Sequence, residues 1–177
     1  MRESLLKIFF VAVLLLTQAS FFLSEATGSE VAENNLKADT VEIGVSYSGS
    51  YRSARVTPFI GYFLTNEVEV GGAFMVETGN YDSNDYTTTA LSILGRYNVP
   101  IEKNLNLFGE IGLEQVNVDD GSDESAFLLG IGARLFPKNN FSVNFLLDYI
   151  IGSYETGNID IDTDGFRLSV GLSVFVF

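Results

Sequence analysis

Ten charged residues interrupt otherwise uncharged, alternating stretches of the chain: Glu42, Arg55, Glu69, Glu77, Arg96, Glu110, Glu114, Arg134, Asp148 and Arg167. They are the groups with which these stretches could do acid–base or electrostatic chemistry. The 177 residues include no histidine and no cysteine. Without histidine the commonest general base and proton shuttle is missing, and a Ser-His-Asp triad is excluded. Without cysteine there is neither a disulfide framework nor a thiolate metal site. A carboxylate-only hydrolase could be built around Glu110, Glu114 and Asp148, but ion pairing explains those acids better. The expectation is a non-enzymatic protein with no cofactor. Asp160-Ile-Asp162-Thr-Asp164-Gly165 matches the first half of a calcium loop. The glutamate needed at position twelve of that loop is Gly171, so this is no EF-hand. Asp160, Asp162 and Asp164 stand as a weak calcium candidate, with the acidic run at 119–124 as a neighbour.

The elements that must position the ten charges read as strands. From Thr40 onward the pattern has period two. Eight segments each put an apolar face on one side. Val41, Ile43, Val45 and Tyr47 form the first, and Val56, Pro58, Ile60, Tyr62 and Leu64 the second. Val68, Val70, Phe74 and Val76 form the third, and Leu91, Ile93, Tyr97 and Val99 the fourth. The fifth carries Leu105, Leu107, Ile111 and Leu113, and the sixth Phe127, Leu129, Ile131 and Leu135. Phe141, Val143, Phe145, Leu147 and Tyr149 mark the seventh; Leu168, Val170, Leu172, Val174 and Val176 mark the eighth. Short turns at 65–67, 100–104 and 137–140 alternate with longer polar connections at 49–54, 80–86, 117–125 and 153–165. Eight strands of roughly ten residues, joined this way, make an up-and-down meander that can close into a barrel.

All ten charges fall on the face opposite the apolar one. Acids occupy odd segments and arginines even ones, so antiparallel neighbours offer each other opposite charges. Counting from the turns puts Arg55 across from Glu77 and Glu69 across from Arg96. The charged face otherwise carries small residues such as Gly44, Ser46, Gly61, Gly71, Ala73, Ser92, Gly112, Gly130, Gly132, Ser142 and Ser173, which suit the cramped lumen of a small barrel. No strand holds a lysine, the usual solubilising strand charge. A buried charge is tolerated when paired, whereas a lipid-facing Arg or Lys costs about 2–4 kcal/mol at mid-bilayer. The pattern predicts charges inside and apolar side chains toward lipid. Tyr47, Tyr62, Tyr97, Tyr149 and Phe141 lie near strand ends on the apolar side, as interfacial girdles do. A soluble lipocalin-like barrel, with the apolar face inward, is the alternative that parity leaves open.

The first residues, MRESLLKIFFVAVLLLTQASFFLSEATGSE, place Arg2 and Lys7 ahead of an apolar run and small residues at Ala19 and Ala26. This is the layout of a secretory signal peptide over 1–26, cleaved after Ala26 or Ala19. Residues 27–39 read as a flexible polar lead, and 40–177 as the barrel. The full chain has 10 basic and 23 acidic residues, a net charge of −13. Removing Arg2, Lys7, Glu3 and Glu25 leaves 8 and 21, still −13. That balance argues against nucleic acid as a partner.

The chain resembles the small bacterial outer membrane β-barrel family that includes the OmpA transmembrane domain, OmpX and Ail. The resemblance covers the signal segment and Thr40–Phe177. It rests most specifically on the last strand, GFRLSVGLSVFVF, which is similar to an assembly signal of the form polar-x-Gly-x-x-apolar-x-aromatic. Ser169, Gly171, Val174 and Val176 fit that spacing, and Phe177 comes one position late. The resemblance implies a monomeric all-β, eight-stranded antiparallel up-and-down transmembrane β-barrel in the Gram-negative outer membrane. It implies insertion by the barrel assembly machinery and contact with outer membrane lipid and lipopolysaccharide. The acidic loops point to a structural, adhesion or surface-interaction role with a protein partner. A small or gated porin-like channel is the alternative.

Overall fold

The computed structural model describes residues 36–49, 53–81, 84–118, 123–156, 159–162 and 165–177. The signal segment 1–26, residues 27–35 of the lead, and Asp164 lie outside them. Among these described residues nine strands follow in order: β1 (Val41–Gly49), β2 (Ser53–Phe63), β3 (Val68–Tyr81), β4 (Asn84–Glu102), β5 (Leu105–Val118), β6 (Asp123–Lys138), β7 (Phe141–Thr156), β8 (Ile159–Asp162) and β9 (Gly165–Val176). Every pairing is antiparallel. Each strand from β1 to β7 pairs with its sequence neighbour, β7 pairs with β9, and β9 returns to β1. Among the described residues, strand β8 pairs with the end of β7 alone. The wall is therefore a closed cylinder of eight strands, β1–β7 and β9.

Closure runs through Val41–Ser48 paired with Val176–Ser169. It gives the apolar last strand a partner along its edge, which an open sheet would leave exposed to aggregation. Three of the polar connections expected between strands are largely strand, the one at 153–165 through the pairing of β7 with β8. The β3–β4 ladder continues to Tyr81 opposite Asn84, and the β5–β6 ladder to Asn117 opposite Asp123. Both faces are polar there, so the hydrophobic alternation that marks strands in sequence is absent. Backbone hydrogen bonds carry the hairpins past the apolar belt. Pro58 sits inside β2, and the β2–β3 register skips Thr57 and Pro58, resuming at Phe59 opposite Ala73. A proline has no N–H to give that ladder.

The two faces sort as the parity predicts. Ile93 is 77% exposed and Ile131 69%, whereas Glu42, Glu69, Arg134 and Asp148 are fully buried. The inner face is less small-residue than its sequence indicated. Phe59, Phe63, Met75, Leu94, Phe108, Leu128, Phe136 and Phe175 also point inward and are buried. Alternation marks a strand by its apolar outer face. An inner face filled by side chains accepts large rings wherever a neighbour leaves room.

Glycine supplies that room. A Cβ on Gly44 would stand inside the Phe59 ring, and one on Gly132 inside the Phe108 ring. Each aromatic covers a glycine on an adjacent strand. Gly132→Val is expected to lower stability by about 1–3 kcal/mol through overpacking. Gly109→Val, whose Cβ would meet nothing within 4 Å, is expected to change it by less than about 0.5 kcal/mol. Urea midpoints of the detergent-folded protein, read from the unboiled gel band, compare the two.

Candidate functional site

The inward charges form a column of three ion-paired groups: Arg55 with Glu77 and Glu114, Arg96 and Arg134 with Glu42, Glu69 and Glu110, and Arg167 with Asp148. Three arginines meet acids directly across a strand pair: Arg55 opposite Glu77, Arg96 opposite both Glu69 and Glu110, and Arg167 opposite Asp148. Arg55 Nε donates to Glu77 Oε2 at 2.8 Å, and Arg96 Nε to Glu110 Oε2 at 2.6 Å. Arg167 donates to Asp148 Oδ2 through Nε at 3.1 Å and Nη2 at 3.0 Å. Ser92 Oγ donates to Glu114 at 3.0 Å, and Arg55 Nη1 approaches Glu114 at 3.7 Å. The ten residues singled out by sequence are thus brought together, and the two pairs derived by turn counting are both made.

Arg134 differs from the other three. Its direct cross-strand neighbours are Asn106 and Asn144, so its guanidinium reaches across the lumen. Nη2 donates to Glu42 Oε2 at 2.7 Å and Glu69 Oε2 at 3.4 Å, and Nη1 to Asn98 Oδ1 at 3.2 Å. Phe108, Phe175 and Phe63 surround its guanidinium carbon at 5.2, 5.3 and 5.9 Å from the ring centroids. Arg96 is held likewise, 4.6 Å from Phe59 and 5.4 Å from Phe108. Arginine suits such a site, because its planar fork bonds carboxylates while its face lies on rings.

The column is dry at one end and wetter at the other. Arg55, Glu77 and Arg167, toward the long connections, are 14–18% exposed. Arg96, Arg134 and their partners are buried. A cavity of about 40 Å³ lies between Ser92, Arg96, Glu110, Glu114, Asp148 and Arg167, room for a few waters at most. Asp148 Oδ1 is buried there without a hydrogen-bond partner from the protein. Among the described residues no three acid side chains converge on a metal position. What the arrangement does chemically is neutralise charge in a filled lumen.

The remaining sequence candidates separate. Ser169 and Gly171 face inward, Val174 and Val176 take the outward phase of β9, and Phe177 follows the strand with 61% exposure. Asp160 and Asp162 fall in β8, opposite Glu155 and Ser153, as extended backbone. The residues sequence reasoning missed are Phe59, Phe63, Asn98, Phe108 and Phe175, which contact the buried guanidiniums, and Phe136, which packs on Phe175. The signal was available: Phe63, Phe136 and Phe175 each occupy the polar phase just before a strand ends.

Arg134→Met leaves Glu42 and Glu69 buried with one guanidinium fewer, and should cost about 3–5 kcal/mol. Adding Glu42→Gln and Glu69→Gln to Arg134→Met should recover most of that loss, since the uncompensated charges go too. Arg55→Met, at the wetter end, should cost about 1 kcal/mol or less. Urea titration of the folded band measures all three.

No protein-family model matches the chain, and no curated protein matches it. Solved structures do. The N-terminal β-barrel domain of Pseudomonas aeruginosa OprF is 19% identical with a TM-score of 0.57, covering 78% of this chain and 98% of its own. Neisserial surface protein A is 16% identical at 0.59, covering 82% and 99%. The Yersinia pestis outer membrane protein Ail, in a phospholipid bilayer nanodisc, is 13% identical at 0.51, covering 78% and 99%. At these identities the likeness speaks for architecture, and it agrees with the closed wall: the chain has the eight-stranded antiparallel β-barrel fold of the small bacterial outer membrane proteins.

Proposed function

We propose that this chain is a non-enzymatic integral outer membrane barrel whose acidic connections serve a structural or surface-interaction role. The observation that carries the reading is the inverted burial: Leu129, Leu147 and Val170 are 40–43% exposed while Arg134 has no exposure at all. In water such a wall would forfeit about 1.5–3 kcal/mol for each large apolar side chain left uncovered. In a bilayer the same wall is solvated by acyl chains, and closure leaves no strand edge unsatisfied in hydrocarbon.

Charge is divided between the two rims. The long connections hold ten acids (Asp82, Asp85, Asp119, Asp120, Asp123, Glu124, Glu155, Asp160, Asp162 and Asp164) against Arg52 alone. Lys103 lies in a short turn, Lys138 ends β6 and Lys37 just precedes β1. A rim so acidic favours a basic protein surface, or lipopolysaccharide bridged by divalent cations, as its partner. The filled lumen favours an interaction role over passage of solutes.

Expressed protein is expected in the membrane pellet, with an unboiled gel band displaced from the boiled one. Release by osmotic shock instead would return the soluble barrel to favour. In planar bilayers the purified barrel is expected to be silent, and discrete conductance steps would move the assignment to a channel.

A further inference from the structure

Leu36 precedes the first strand, in a stretch whose polar composition gives it no evident reason to pack. It is nevertheless 6% exposed, lying against Phe63, Phe136 and Phe175. Those rings hold equivalent places. Each is the last inward residue before a strand reaches the short-turn rim or the chain's end. Each donates its backbone N–H across to the start of the adjacent strand: Phe63 to Thr40, Phe136 to Asn104 and Phe175 to Asn140, all at 2.9 Å. The fourth such position is Asn98, whose N–H meets the Glu67 carbonyl at 2.7 Å and whose side chain takes Arg134. Phe175 lies 5.3 Å from Phe136 and 6.2 Å from Phe63, centroid to centroid. The short-turn mouth is thus a ring of three phenylalanines and one amide, with Leu36 packed on the three rings.

The chain that delivers Leu36 is fastened. The Ala38 N–H donates to Asn66 Oδ1 at 3.1 Å, the Asp39 N–H to the Phe63 carbonyl at 2.9 Å, and the Thr40 N–H to the Lys37 carbonyl at 3.3 Å. The Tyr62 hydroxyl donates to the Asp39 carboxylate. Asp39 has φ of 68°, the one non-glycine residue at positive φ among those described. Asp tolerates this left-handed conformation better than most side chains, and here it turns the chain back to the wall.

We propose that residues 36–39 are a strap that stoppers the short-turn mouth of the barrel, with Leu36 as the plug and Asp39 as the hinge. An apolar constriction excludes water by dewetting, and this one stands next to the Arg134–Glu42–Glu69 cluster. The ladder hydrogen bonds of the wall cannot open without unmaking the sheet. The strap lies outside those ladders, so it can leave while the cylinder stays closed.

The absence of native cysteine makes a direct test available. Ser173→Cys puts a thiol at a fully buried inward position two residues from Phe175. Ser169→Cys does the same nearer the long connections. Each is folded in detergent micelles and reacted with a charged methanethiosulfonate, with labelling rates read by mass. Both are expected to label slowly. Adding Leu36→Ser should raise the Ser173→Cys rate at least about tenfold, by removing the packing that holds the mouth shut, and leave the Ser169→Cys rate unchanged. Asp39→Val, which keeps every lumen side chain and strains the hinge, should act in the same direction and serves if Leu36→Ser does not fold. Equal Ser173→Cys rates with and without the strap variants would overturn the proposal. So would an equal rise at both cysteines, which would mean general loosening.

Discussion

A guanidinium fully removed from water, between two carboxylates on the far side of the lumen, is the contact on which the interior depends. Arg134 on β6 bonds Glu42 on β1 and Glu69 on β3, residues 92 and 65 positions away in sequence. An open sheet would set those strands far from β6. The contact exists only because β9 reaches β1 and curls the wall into a cylinder. A charged group buried alone costs several kcal/mol, so an unclosed barrel holds these three residues at a penalty that closure removes. Backbone pairing and interior electrostatics thus favour the same geometry.

The lumen is narrow enough that every inward residue is constrained by another. Gly44 and Gly132 leave space that Phe59 and Phe108 fill, and those rings in turn flank Arg96. A Cβ on Gly61 would collide with the Glu69 carboxylate, and one on Gly130 with Asp148. Small residues on the inner face are the partners of large ones, placed where an acid or a ring must lie flat against the wall. Six acids face four arginines in this column, and the surplus of carboxylates collects where hydroxyls and amides are also present. Ser92 serves Glu114, and Asn98 lies beside Glu42 and Glu69 through the guanidinium they share.

Much of this was legible in the residues. The strand count, the closed meander, the sidedness of the charges and the Arg55–Glu77 and Glu69–Arg96 pairs follow from parity and turn position. All are properties of a period-two backbone, in which the face of one residue fixes the face of the next. Three kinds of feature were not legible. Hairpin arms beyond the apolar belt carry polar residues on both faces, so Thr78–Tyr81 and Asn84–Thr87 gave no contrast to read. Large inward side chains such as Phe108 and Leu128 broke no alternation, because the inner phase of a filled lumen has no single polarity. The reach of Arg134 depends on barrel curvature, and register alone gives it only Asn106 and Asn144 as neighbours.

The distribution of arginine and lysine follows from the same physics. The four cations paired with acids in the lumen are all arginines; Arg167 makes a two-atom bond to Asp148, and Arg96 and Arg134 lie against rings. An ammonium would place its charge at a point and would lose the face that Phe59 and Phe108 offer Arg96. Among the described residues lysine is confined to the rim of the short turns. An Arg96→Lys or Arg134→Lys change would conserve charge and still break the column, because the rings and the paired acids require a flat cation of fixed fork geometry. The interior therefore selects for the shape of its cations as strictly as for their sign. That is why the acid–arginine alternation by strand was a better guide to the lumen than net charge, which describes only the loops.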